Sequence, residues 1–259
     1  MGGSVRLELD GPIAVITNDN PEAHNAFDDD MDARLFDVLD QLRASDDVRS
    51  IIWRGDGPSF SSGRDVAAIK KLPSGLTHHE LMRREYEGAR LFVELDTPVI
   101  AAVHGWTIGI SFQRALLCDM RIAAEGTRFR LPETDYGLIP DGGGVARLSQ
   151  ICGSAVVTDL VLTGRVMEAD EALAHGIISR IVPADQLDAV ALDMAHAIAT
   201  SPTATVKIAR RVIRRLGAPA VTASMEEEMI TQTFLNQSHD FREMVRARKE
   251  NRPAHYRGS

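Results

Sequence analysis

Cysteine is scarce in this sequence: Cys118 and Cys152 are the two among 259 residues. Both lie in apolar surroundings and neither sits at metal-ligand spacing. That excludes a disulfide framework and a zinc motif, and predicts two structural thiols in a reducing cytosol. A basic excess is also missing. Lys and Arg number 29 against 37 Asp and Glu, for a net charge of -8. This argues against a general nucleic-acid binder, although a local basic patch can still receive an anion. No apolar run approaches the length expected of a membrane span. The first ten residues, MGGSVRLELD, have no signal-peptide core, so a cytoplasmic protein is expected. Repeats, low-complexity tracts and flexible linkers are absent too. What is present, 44% hydrophobic and 25% charged, is ordinary for a globular chain of one sizeable domain with or without an appendage.

The most informative stretch runs over residues 97–147. A continuous apolar run at 98–103 reads as a buried strand that ends at His104-Gly105. Gly109 follows, and 110–117 reads as a helix starting near the strand's end. Free N–H groups at such a start can hold a developing negative charge. A second strand is expected near 121–124. Two carboxylates then stand alone in loops, Glu133 after Pro132 and Asp141 before Gly142-Gly143-Gly144. An anion-binding turn followed by isolated acids is the raw material of enolate chemistry.

Around this stretch, strands alternate with helices, which argues for an α/β layer structure. A hairpin is expected over 5–10 and 13–17 through Gly11-Pro12. A helix over 28–44 follows, with aspartates crowding its first turn. Then come a strand at 50–54, a short helix ending in Lys70-Lys71, and a long helix over 78–95. Beyond the central stretch, the pattern predicts helices at 156–162 and 168–175, a strand at 177–182 and a helix at 184–200. The last sixty or so residues are nearly all helical in pattern, interrupted at Pro202, Gly217 and Pro219.

Six segments in this order resemble the crotonase superfamily, also called enoyl-CoA hydratase/isomerase: NPEAHNAF, SIIWRGDGPSFSSGRDV, TPVIAAVHGW, ALLCDMRIAAEGTRF, LPETDYGLIPDGGGVARL and VLTGRVMEADEALAHGIISRIVP. The tail segment FREMVRARKENRPAHYRG resembles that family's closing helix. No single motif is decisive, but their joint order and spacing are specific. The resemblance implies a crotonase-like α/β fold, a spiral of ββα turns with a C-terminal helical region. It divides the chain into a core over 1–198 and a helical oligomerisation or lid region over 199–259. It also implies a homotrimer or dimer of trimers and an acyl-CoA thioester substrate. Neither a metal nor a cofactor beyond the substrate's coenzyme A is implied, nor a nucleic-acid or membrane partner.

Carried over position by position, the resemblance puts two oxyanion-hole donors on the main-chain N–H groups of Arg64 and Ile110. Backbone donors are indifferent to side-chain identity. Substrate and CoA contacts fall on Ala26, Ser62, Arg64, Asp65, Val66 and Gly109, and basic residues at 70–71 and 246–252 are candidates for CoA phosphates. Hydratases of the family carry two glutamates; here those positions are Gln113 and Glu133. A carboxamide can hold a water or orient a carboxylate, but it cannot trade protons at neutral pH. One carboxylate still suffices to take a proton from one carbon and return it at another. Asp141 matches an aspartate of some isomerases and a dehalogenase of the family, and a similar motif occurs in carnitine-pathway hydratases. The catalytic candidates are therefore Glu133, Asp141 and Gln113, in an isomerase or an atypical hydratase. Two alternatives are a carbon–carbon bond hydrolase of cyclic diketones on the same fold and a non-catalytic acyl-CoA-binding member. His104 is expected to be structural, and Trp106 and Phe112 to be core or acyl-pocket wall.

Overall fold

A computed structural model describes residues 3–66 and 75–259 of the chain. β1 (Ser4–Asp10) and β2 (Ile13–Asp19) form the expected antiparallel hairpin. α1 (Asp29–Arg43) starts at Asp28, whose side chain accepts from the Met31 N–H at 2.9 Å. Met31, Leu35, Val38, Leu39 and Leu42 then repeat on its buried face. β3 (Ser50–Gly55) is followed by α2 (His78–Glu94), which opens on a reciprocal capping box between Thr77 and Glu80. β4 (Val99–Val103), β5 (Trp106–Ile108) and α3 (Gly109–Leu117) make up the expected strand-to-helix unit, with an extra short strand between. β6 (Met120–Ala124), β7 (Arg128–Arg130), α4 (Gly144–Thr163), β8 (Val166–Glu168), α5 (Ala169–Ala174), β9 (Ile181–Val182) and α6 (Leu187–Ala199) come next. The tail is helical: α7 (Thr203–Arg215), α8 (Ala218–Leu235) and α9 (His239–Lys249).

The main sheet has the order β1-β2-β3-β4-β6-β9, parallel except for the hairpin. Its central strand β4 is apolar throughout, and β3 nearly so, because both faces are covered. Side chains alternate: Ile51, Trp53, Val99, Ala101 and Val103 join the core with α1 and α3, while Ile52, Ile100 and Ala102 face α6. Ala191, Ala195 and Ala199 on α6 are small enough for close approach to that face. The indole of Trp53 packs on Phe60 and Phe92 with ring centroids 4.8 and 5.1 Å away, and its N–H donates to Asn18 Oδ1 at 2.8 Å. A smaller sheet, β5-β7-β8, lies apart from the first.

Several expectations need correction. The strand anticipated at 177–182 shrinks to Ile181–Val182. Ile177 and Ile178 instead turn back, and both N–H groups donate to the Ala172 carbonyl of α5. The helix anticipated at 156–162 begins at Gly144 and runs to Thr163, broken at Gly153 (φ 78°, ψ 166°). By length and composition α4 is long and apolar enough to cross a membrane, against the expectation that no segment is. The break divides it into halves that each fall well short of the roughly 20 residues a span needs. Lys70 and Lys71 lie outside the described residues. Arg252 is engaged by Glu243 and Glu250, and Arg248 lies over the Tyr136 ring at 3.9 Å, so these two side chains of the 246–252 run are held by the protein itself.

Candidate functional site

The segment after β3 lies against β5. Phe60 N–H donates to His104 O, Ser61 N–H to Trp106 O and Ile108 N–H to Ser61 O, at 2.8–3.0 Å. This short parallel ladder brings Gly63 against Gly109. A Cβ on Gly63 would stand 2.8 Å from Ile108 O and 3.6 Å from Gly109 Cα. Both glycines have positive φ, +88° and +56°, a region that suits a residue without Cβ. Next to Gly63, the Phe27 N–H donates to Gly63 O and the Asp65 N–H donates to Phe27 O. Strand alternation turns the Arg64 N–H to the opposite side. Ile110 falls in the first turn of α3, where N–H groups have no intrahelical acceptor.

Glu133 closes the third side. A Cβ on Gly109 would lie 3.3 Å from its Oε1. Gln113 sits behind: its Oε1 accepts from the Gly142 N–H at 2.8 Å, which leaves its Nε2 to donate to Glu133 Oε1 at 2.8 Å. The other carboxyl oxygen of Glu133 is buried and has no partner among the described residues. Burial pushes the Glu133 carboxyl up to about 8, with Asp141 nearby adding to the rise against the Gln113 hydrogen bond. Burial likewise pushes Asp141 up to about 7, reinforced by Glu228. Two acids near neutrality therefore line the same cavity as Arg64 and Ile110.

A raised carboxyl stabilises the folded state below its unfolded value and loses that contribution as pH rises through its folded value. For Glu133 the window runs from about 4.5 to about 8. Glu133→Gln is therefore expected to melt with the parent at pH 5. At pH 9 it should melt higher, on the order of 5 °C, as differential scanning fluorimetry would read. An equal gap at both pH values would contradict the burial argument.

These groups surround one cavity of about 560 Å³. Of the sequence candidates, Ala26, Ser62, Arg64, Asp65, Val66, Gly109, Ile110, Glu133 and Asp141 line it, and Gln113 stands behind its wall. The Asp65 N–H already serves Phe27, so a ligand contact through that group is not open. His104 is structural as expected, with Nε2 at 2.9 Å from Gly57 O. Phe112 packs on Phe129 in the core, while Trp106 is stacked under Arg128. Among the described residues no group of three or more acidic, His or Cys side chains is arranged to hold a metal ion.

Sequence reading missed what lies around these residues. Arg64 extends its guanidinium to Asp29 and Asp32 of α1. Asp32 also accepts from Arg114 of α3 at 2.6 Å, and Arg114 reaches Glu85 of α2 at 3.0 Å. The Asp32 and Arg114 side chains are fully buried. Glu85 lines the cavity as a third acid, its carboxyl pushed up by burial and by the Asp32 charge. His78, Leu81, Met82 and Glu85, spaced by three, four and seven residues, form the α2 wall. That spacing is visible in the sequence, which does not show which face the cavity takes. From the tail, Glu228 and Gln232 of α8 accept from the Gly143 and Ile139 N–H groups at 2.8 and 3.1 Å. The C-terminal region thus closes over the cavity of its own chain.

Three comparisons bear on this site. The family model for enoyl-CoA hydratase/isomerase matches residues 8–259. The short-chain-enoyl-CoA hydratase of Clostridium acetobutylicum is 32% identical over 219 residues, covering 82% of this chain and 81% of that one. The carnitinyl-CoA dehydratase of Salmonella typhi is 35% identical over 217 residues, covering 83% and 81%. Among solved structures, an enoyl-CoA hydratase/isomerase from Pseudoalteromonas atlantica T6c superposes with a TM-score of 0.90 at 30% identity, over 98% of this chain and 100% of that one.

Proposed function

The chain belongs to the enoyl-CoA hydratase/isomerase family, and from that premise we propose that it forms and discharges the enolate of an acyl-CoA thioester. The N–H groups of Arg64 and Ile110 receive the thioester oxygen as it gains charge. Glu133 takes the C2 proton of a 3-enoyl thioester, the electron pair moves to the oxygen as a dienolate, and the proton returns at C4. Asp141 serves as the second acid of the transfer. The observation that carries this reading is the buried, unpartnered Oε2 of Glu133 beside the Gly63–Gly109 junction. Both ends of the Gln113 carboxamide are already engaged, which favours proton transfer by Glu133 over hydration by a paired glutamate.

A second reading is reversible loss of water from a 3-hydroxyacyl thioester, with Asp141 protonating the leaving hydroxyl. The names of the Clostridium and Salmonella relatives favour it. Incubating the protein with 3-enoyl-CoA and with 3-hydroxyacyl-CoA in D₂O separates the two. Isomerisation gives 2-enoyl-CoA from the first without added oxygen; dehydration consumes the second. If neither is consumed and no deuterium enters C2, the enolate reading fails. No cofactor beyond the substrate's CoA is required by this chemistry. The proposed assembly is a homotrimer or dimer of trimers, supported by the exposed Ile208, Val212 and Ile213 on α7 and Leu216 just past its end; the proposed compartment is the cytoplasm.

A further inference from the structure

One end of the cavity is polar in a way the proton transfer does not use. Leu81, Met82 and Leu138 wall it with apolar surface. Among them stand Glu85 from α2 and Gln232 and Asn236 from the end of α8. Each has a polar group without a good protein partner among the described residues. Glu85 Oε2 accepts from Arg114 at 3.0 Å, and no donor among the described residues reaches its Oε1. Gln232 uses its Oε1 on the Ile139 N–H, and no acceptor takes its side-chain NH₂. Asn236 donates to the Met82 sulfur at 3.6 Å, a weak acceptor. Arg114 is fully buried and held from its other side by Asp32, so Glu85 is anchored from behind.

An unpaired acceptor and an unpaired donor lining one cavity among apolar side chains are costly to bury unless something fills both roles. A purely alkyl chain would bury Glu85 and Gln232 unsatisfied. An ammonium would meet the Gln232 NH₂ as a second donor. A ketone would pair with Glu85 in its protonated form alone and would meet the ionised carboxylate as a second acceptor, whereas a hydroxyl serves either form. A hydroxyl is both donor and acceptor, and it carries no charge to desolvate. We propose that the acyl group bears a hydroxyl beyond the reacting carbons, which donates to Glu85 and accepts from Gln232. Glu85 is then a specificity-determining residue. The inference rests on the acyl-CoA reading above and goes further by naming the chemistry of the acyl arm.

Saturated acyl-CoA esters test this without turnover. Pairs of short and medium chain length, identical except for a terminal hydroxyl, are titrated into the intact protein by calorimetry. In at least one pair the hydroxylated ester is expected to bind about tenfold more tightly. Glu85→Leu should bring that ratio to about one and tighten the alkyl ester. Should Glu85→Leu fail to fold, with Arg114 losing an acceptor, Asn236→Leu breaks no ion pair and should lower the ratio through the neighbouring wall. Equal or weaker binding of every hydroxylated ester by the parent overturns the proposal. So does a ratio that no folded variant moves. Binding of neither ester in any pair would instead bring down the acyl-CoA reading, and this inference with it.

Discussion

Glu133→Gln is expected to slow exchange of the C2 proton of an acyl-CoA thioester by about 10²–10⁴-fold, the usual contribution of a positioned acid or base. Glutamine keeps the shape and can still accept the Gln113 Nε2 hydrogen bond, which in the parent spans 2.8 Å. The cavity wall and the two main-chain donors are untouched, so affinity for the thioester should stay within about threefold. Deuterium uptake at C2, followed by NMR or mass spectrometry, reads the first quantity, and calorimetry reads the second. The separation matters. In the proposed reaction Glu133 moves a proton that leaves only in the transition state, so its loss should appear in rate and not in binding. Unaltered exchange would remove Glu133 from the chemistry.

Asp32→Ala is expected to cost about 3–5 kcal/mol of stability, because it leaves a buried guanidinium short of its counter-charge. In the parent, Asp32 accepts from Arg114 at 2.6 Å and also engages Arg64. Arg114 is fully buried and its Nε already lacks a partner. Without Asp32 its one remaining acidic partner among the described residues is Glu85. Urea unfolding followed by circular dichroism measures the loss, and the melting temperature should drop by roughly 6–20 °C. The same variant leaves the side chain of Arg64, whose main-chain N–H is a proposed oxyanion donor, with Asp29 but without Asp32. A stability change under about 1 kcal/mol would mean that the network contributes little beyond what a surface ion pair does.

Asp32 also shows where sequence reading stops. In the sequence it is one of three aspartates in the first turn of α1, where the helix dipole alone accounts for it. In the fold it is fully buried and pairs with residues 32 and 82 positions away. Nothing local distinguishes it from Asp29 or Asp30. The short strands Trp106–Ile108, Arg128–Arg130 and Val166–Glu168 were illegible for a related reason. Three residues hold too little alternation to mark a strand, and these form because distant segments supply the pairing. The first half of α4 was hidden by Gly142-Gly143-Gly144, which reads as a turn and is one, yet also opens a helix at Gly144.

Periodicity alone established the α/β class, the hairpin and the strand-to-helix unit at 98–117, since these are properties of neighbouring residues, while the family resemblance supplied Glu133, Asp141 and Gln113 as candidates. Only the tertiary structure decided that Gly63 meets Gly109, that Gln113 backs Glu133, and that Glu85 faces the same cavity from another helix. A carboxyl's proton affinity follows from the water and charge around it, and those are supplied by residues far away along the chain.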